Sequence, residues 1–342
     1  MTKDNFDEKR DYEELYEHFN FTADQGQQLL RVDKFLINLM RQTSRTRIQK
    51  AAEAGAIRVN GKSVKSNYRV RPGDNVALVL AYPPRVKELL PENLNLDILY
   101  SDSDIAVVNK RAGMVVHPSY GHYSGTLVNG LLYEFQSLPE VGDIERPGLV
   151  HRIDKDTTGI LVVARNEYAL AFLANQFAEH STDREYHAIV WGNLDREHGT
   201  IIGHVGRSLR DRKIMAVFPD GDHGKEAITH YKVIERFGFA TFVSCRLETG
   251  RTHQIRVHFQ SIGHSLFGDQ TYGGDQIPNI QGYPKFKSFI ENCLGICPRQ
   301  ALNARLLGFI HPKTLKNINF EISNPQDIQQ VLERFRDYTK NN

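Results

Sequence analysis

Cysteine is scarce. The 342 residues hold three, Cys245, Cys293 and Cys297, an odd number too small for a disulfide framework, and this points to a reducing, cytoplasmic compartment. Cys293 and Cys297 lie four apart with no second Cys or His pair at zinc-site spacing, so they read as ordinary thiols. No apolar run approaches the roughly 20 residues of a membrane span. The amino-terminal stretch MTKDNFDEKRDYEELYEHF has no apolar core of a signal peptide, so export is not expected. GxGxxG, the phosphate-loop signature and other cofactor fingerprints are missing, and no cofactor is expected.

Charge is present but unevenly spread. The net charge is only +2. Residues 1–28 hold three basic and eight acidic side chains, a net of −5, and read as an acidic extension. Residues 31–73 hold eleven basic and two acidic ones, a net of +9. A solvated charged face is the bland reading of such a block, and a footprint for a polyanion is the sharper one.

The scaffold under the block favours the second. Val32, Phe35, Leu36 and Leu39 fall at helical spacing. Thr43 or Ser44 offers an N-cap for a second helix, RTRIQKAAEAG, which stops at Gly55. IRVNGKSV carries the Asn60-Gly61 hairpin signal. Arg41, Arg45, Arg47, Lys50 and Lys62 gather on the second helix and the hairpin. The stretch 29–81 resembles the S4 RNA-binding domain along its whole length, which implies contacts to RNA phosphate. Phosphate contacts position a protein without reading sequence.

AYPPRVKELLPENLNLD, with three prolines and mixed charge, reads as a linker over 82–95. From residue 96 short apolar runs alternate with turns. Strands are expected at Ile98–Tyr100, Ile105–Val108, Gly159–Ala164, Tyr186–Trp191, Ala227–Glu235, Phe239–Glu248 and Ile318–Ile322. Helices are expected at Thr126–Phe135, Glu167–Phe177, Arg251–Ile262 and Asp327–Tyr338. Without regular βαβ alternation this is an α+β domain with a mixed, largely antiparallel sheet, over 96–335.

Two stretches carry candidate chemistry. HRIDKDTTGILVVARN, 151–166, sets Asp154 between basic residues at the mouth of a run that must be buried. A charged surface turn leading into a core strand is the ordinary reading. ETGRTHQIRVH, 248–258, places Arg251 at a helix start, an anion site. His253 and His258, five apart, point about 140° from each other on a helix. One metal ion cannot take both, and capping and packing is the preferred reading for His258.

These two stretches, with REYHAIVWG and GHSLFGD, resemble the ordered motifs of the RluA-type pseudouridine synthases. LDILYSDSDIAVVNKRAGMVVHP resembles that family's first motif, and GKEAITHYKV and RQALNARLLGFIHP resemble later landmarks. The likeness spans residues 29–324. With an S4 domain in front, the chain is similar to the large-subunit ribosomal RNA synthases of the D type. The resemblance implies a monomeric, cytoplasmic enzyme that isomerises uridine in RNA with no metal. It implies that Asp154 is the catalytic aspartate, that Tyr186 stacks on the uracil, that Arg251 pairs with the aspartate, and that Arg152 fills the place of a flipped base. Four positions depart from the family pattern: Arg111 and Ser265 replace Pro, Asn303 replaces His, and Thr158 replaces Ser. Two other classes stay open. A non-catalytic RNA-binding protein would not need Asp154, Tyr186 and Arg251 to converge. A nucleoside hydrolase on free substrates would leave the +9 block unexplained and would want a second carboxylate or a metal.

Overall fold

A computed structural model of the chain describes residues 16–40, 43–80, 89–118, 122, 124–139, 146–211, 214–277 and 284–341. The chain divides into two compact units, 1–88 and 89–342.

The first unit runs β1 (Tyr16–Thr22), β2 (Leu30–Arg31), α1 (Val32–Leu39), α2 (Arg45–Glu53), β3 (Ile57–Val59), β4 (Lys62–Ser63), β5 (Arg69–Val70) and β6 (Asn75–Leu80). Val32, Phe35 and Leu36 of α1 pack with Ile48 and Ala52 of α2 over the hairpin's Ile57 and Val59. The cap of α2 is Ser44, whose Oγ accepts the Arg47 N–H. Asn60 and Gly61 both take positive φ, 48° and 79°, which a tight two-residue hairpin turn demands. The expected acidic extension needs correction: its residues 16–22 are a strand, paired antiparallel with β6 from Tyr16↔Leu80 to Thr22↔Asn75. Phe19 and Phe21 carry the period-2 signal there; it is masked in the sequence by neighbouring acids. Of the expected linker, 82–88 lies outside the described residues. Residues 90–95 belong to the second unit, because Asn129 Nδ2 donates to the Leu90 carbonyl and the Glu92 carboxylate accepts the Gly125 N–H.

The second unit runs β7 (Asp97–Ser101), β8 (Ile105–Lys110), α3 (Leu127–Phe135), β9 (Thr158–Ala164), α4 (Glu167–Ala178), β10 (Asp183–Trp191), β11 (His198–Arg207), β12 (Met215–Phe218), β13 (Lys225–Arg236), β14 (Ala240–Leu247), α5 (Gln254–Ser261), α6 (Pro284–Ile296), β15 (Leu302–Ile310), β16 (Asn317–Glu321) and α7 (Gln326–Asn341). One ten-stranded sheet has the order β12-β11-β13-β14-β10-β15-β9-β8-β7, with β16 added on β15. Its pairings are antiparallel except β9 with β15, so the sheet is mixed and largely antiparallel and the unit is α+β. Period-2 alternation assigns the two faces. Val108, Leu161, Val163, Tyr186, Ala188 and Val190 join Ile153, Leu127 of α3 and Ile255 of α5. Ile105, Val107, Ile160 and Val162 turn to Leu170 and Leu173 of α4 on the other side. A sheet covered on both faces gives the near-continuous apolar runs seen in β8 and β9.

The β9–β15 pairing fixes the loop in front of β9. Gly159 sits opposite Ala304 with φ of +120°. A β-carbon there would lie 2.2 Å from the Ala304 carbonyl oxygen. Gly159→Ala is therefore expected to destabilise the unit by about 3 kcal/mol or more, from strain and clash together. Urea unfolding followed by the fluorescence of Trp191, the chain's one tryptophan, would read the shift.

Candidate active site

Residues 151–157 lead into β9, and their charges have separate jobs. His151 is structural: its Nε2 accepts the Val162 N–H at 3.0 Å and its ring stacks on Phe177 at 4.3 Å. Burial pushes its pKa down to about 3, so the ring is neutral. Arg152 and Lys155 are exposed, while Ile153 is buried in the core. Lys110, 1% exposed, donates from Nζ to the carbonyls of Lys155, Met114 and Arg111 at 2.8–2.9 Å. Burial pulls this ammonium's pKa down to about 7, and the charges of Asp156 and Asp154 oppose the fall. Arg299 Nη1 donates to the Asp156 carbonyl at 2.9 Å, with its own charge held by Asp327. Lys110 and Arg299 thus hold the carbonyls of the two residues that follow Asp154.

Among the described residues Asp154 meets one arginine, and it is Arg256 rather than Arg251. Arg256 Nη1 donates to Asp154 Oδ2 at 3.1 Å. The same guanidinium forks onto Asp269 at 2.7 and 2.8 Å and stacks 5.0 Å from the Tyr272 ring centre. Its side chain is 6% exposed, that of Asp269 0% and that of Asp154 16%. Burial alone would lower the arginine's pKa; the hydrogen bond and charge of Asp269, then the charge of Asp154, drive it up instead. A planar guanidinium forked onto Asp269 aims a further N–H at Asp154 Oδ2 from a fixed direction. Asp269 is itself held by the backbone N–H groups of Thr271 and Tyr272.

Arg251 sits elsewhere. Its Nε donates to the Glu226 carbonyl at 3.0 Å, and its N–H donates to Gln254 Oε1. α5 starts three residues later than expected, at Gln254, because His253 takes a left-handed φ of +57°. Arg251 instead lines a cleft of about 750 Å³ with Arg207, Lys225, Met215, Gly250 and Thr252, among others. The signal for Arg256 was present in the motif. α5 buries every residue from Gln254 to Phe259, and an arginine among Ile255, Val257 and Phe259 must find a carboxylate.

Tyr186, on β10 between Cys245 and Ala304, is 9% exposed. Burial raises its phenol pKa; Arg184 opposes and the Asp154 charge adds to the rise. The Arg152 charge is felt by His253. Asp154, Tyr186 and Arg152 therefore share one neighbourhood. In the first unit, Arg47, Lys50 and Lys62 are exposed. Arg45 is spoken for, since its Nε donates to the buried Asp33 alongside Arg31 and Gln49. Arg41 lies outside the described residues. Among the described residues no group of His, Cys, Asp and Glu is arranged to hold a metal ion.

This buried aspartate–arginine arrangement coincides with family likeness. A model described as RNA pseudouridylate synthase matches residues 104–261, and an S4 domain model matches 30–76. An uncharacterised RNA pseudouridine synthase from Chlorobaculum parvum is 45% identical over 310 residues, 90% of this chain and 94% of its own. The chain belongs to the RNA pseudouridine synthase family. The synthase is thus an isomerase that converts uridine to pseudouridine in RNA. It is also 42% identical, over 88% of its length and 92% of the relative, to the ribosomal large subunit pseudouridine synthase D of Zymomonas mobilis. The solved human RNA pseudouridylate synthase domain containing 1 shares the fold, with a TM-score of 0.51 at 24% identity over 72% of this chain and 97% of that one.

Two departures from the family pattern meet in the synthase. Thr158 and Asn303 face each other across the parallel β9–β15 pair, and Thr158 Oγ1 donates to Asn303 Oδ1 at 2.8 Å. A third, Ser265, donates from Oγ to the Tyr272 carbonyl at 2.7 Å, a tie that proline cannot make. Among the described residues no helix is long and apolar enough to cross a membrane.

Proposed function

We propose that Asp154 is the catalytic carboxylate and that the substrate is large-subunit ribosomal RNA, modified by a monomer in the cytoplasm. The observation that carries the first part is the grip of buried Arg256 on Asp154 next to buried Tyr186. The reaction breaks the N1–C1′ bond, turns the uracil and forms a C5–C1′ bond; C5 loses a proton and N1 gains one. No water is consumed, so one carboxylate suffices where a hydrolase wants two. An ionised Asp154 can attack C1′, stabilise oxocarbenium character there, or take a proton from the sugar. Tyr186 supplies the face on which uracil stacks. The base must leave its helix to be reached, and Arg152, exposed beside Asp154 in sequence, occupies the gap.

Support for the ribosomal target comes from relatives named ribosomal large subunit pseudouridine synthase D, that of Zymomonas mobilis and, at 38% identity, that of Neisseria meningitidis. Mapping pseudouridines in ribosomal RNA from a strain deleted for the gene, with and without its restoration, tests the target. Sites that vanish and return in large-subunit RNA are expected; an unchanged large-subunit map would overturn the assignment.

The basic block supports docking through phosphate. Replacing exposed Arg47, Lys50 and Lys62 together by Gln is expected to flatten the dependence of log K on log salt by about 2 to 3, since each phosphate contact contributes roughly 0.7–0.9. Turnover at saturating RNA should change little, because remote contacts hold substrate and transition state alike. Filter binding across a salt series would show it, and equal slopes would separate the block from RNA.

A further inference from the structure

His253 does something that neither capping nor metal binding explains. It precedes α5 with φ of +57°, a conformation uncommon for a residue with a β-carbon. Its Nδ1 lies 2.8 Å from Tyr272 Oη, and its Nε2 lies 3.9 Å from Asp154 Oδ2. Tyr272 Oη also accepts the backbone N–H of Met215 at 3.0 Å. A phenol has one hydrogen. Among the described residues no other acceptor lies within hydrogen-bond reach of Oη, so that hydrogen is assigned to Nδ1, which leaves Nδ1 bare. The ring's own hydrogen then sits on Nε2 and faces Asp154. Burial lowers the imidazole pKa from its ordinary value while the Asp154 charge opposes, which favours the neutral ring at pH 7.

We infer that Tyr272 and His253 form a tautomer-setting pair whose Nε2–H is a second donor to the Asp154 carboxylate. The inference rests on the proposed role of Asp154 and makes His253 a positioning residue for it. Arg256 gives Asp154 one N–H and spends two on Asp269. Both donors address the same oxygen, Oδ2, which leaves Oδ1 free to act on the sugar. A neutral second donor steadies Oδ2 without adding a second positive charge, which would weaken a nucleophile or base. The 3.9 Å separation is longer than a hydrogen bond, and catalytic hydrogen bonds that are long in the free enzyme tighten in the substrate complex.

The two side-chain amides separate this role from packing. The amide of Gln reaches the position of Nε2, and that of Asn the position of Nδ1. Backbone preference runs the other way, because Asn suits positive φ better than Gln. His253→Gln is expected to keep single-turnover tritium release within about threefold of wild type, and His253→Asn to lose about 30-fold, at unchanged RNA affinity. The Asn variant should nonetheless melt no lower than the Gln variant. Tyr272→Phe should lose about tenfold. Nitrogen-15 spectra of histidine-labelled enzyme provide an arm that reads no activity. The resonance missing from His253→Gln identifies His253, and its Nε2 should be protonated at pH 7.5, with that bias lost in Tyr272→Phe. Rates that follow the melting temperatures, or a ring protonated on Nδ1, would overturn the inference. Failure of Asp154 as the catalyst would leave the tautomer result standing, so the two outcomes are distinguishable.

Discussion

Asp154→Asn is expected to leave a folded, RNA-binding protein that no longer makes pseudouridine. Single-turnover release of tritium from C5-labelled uridine in RNA should fall on the order of 10³-fold or more. The substitution removes charge and keeps shape. Arg256 retains its two bonds to Asp269, and the backbone clamps from Lys110 and Arg299 act on carbonyls that the change does not touch. The melting temperature and the RNA dissociation constant should therefore stay close to wild type, so the loss appears in the chemical step alone. Asp156→Asn is the control, since among the described residues its carboxylate meets no arginine fork, and it should retain most activity. Near-normal release by Asp154→Asn would sink the assignment.

What the sequence disclosed follows from which signals are local. Gly-Ile-Leu-Val-Val-Ala could only be a buried strand, and β9 is buried throughout. The helices expected from Thr126 and from Glu167 are there, and the Thr126 and Asn166 side chains cap them by accepting the backbone N–H three residues on. β15, the central neighbour of β9 and β10, went unseen as a strand. Asn303 and Arg305 interrupt its apolar run, and their partners Thr158 and Glu185 come from distant segments. β11 escaped for another reason, since three glycines in HGTIIGHVGR depress its strand propensity. The arginine assignment failed in the same way. Arg251 and Arg256 stand five apart in one motif, and choosing between them needs the left-handed turn at His253, which sets the start of α5. Asp269, which completes the pairing, lies 13 residues beyond Arg256. A motif names the residue types a site needs, while the side chain that reaches the reacting carboxylate is decided by tertiary geometry.

That decision has a measurable consequence. Arg256→Lys is expected to reduce single-turnover rate by about 10²-fold or more, because a point charge cannot fork onto Asp269 and still reach Asp154. Arg256→Leu should go further and strand two carboxylates, one fully buried, at a cost of about 3–5 kcal/mol in folding. Arg251→Lys, by contrast, gives up one bond to the Glu226 carbonyl at a solvent-facing position. It should keep the chemical step within about threefold and show its effect, if any, in RNA affinity and salt dependence. Running both lysine variants under single-turnover conditions with saturating enzyme separates the two readings of the motif. A large rate defect confined to Arg256 places the aspartate's partner on the inner face of α5. Equal defects in the two variants would mean that Arg251 also acts in the step, and would return it to the role its position in the motif first implied.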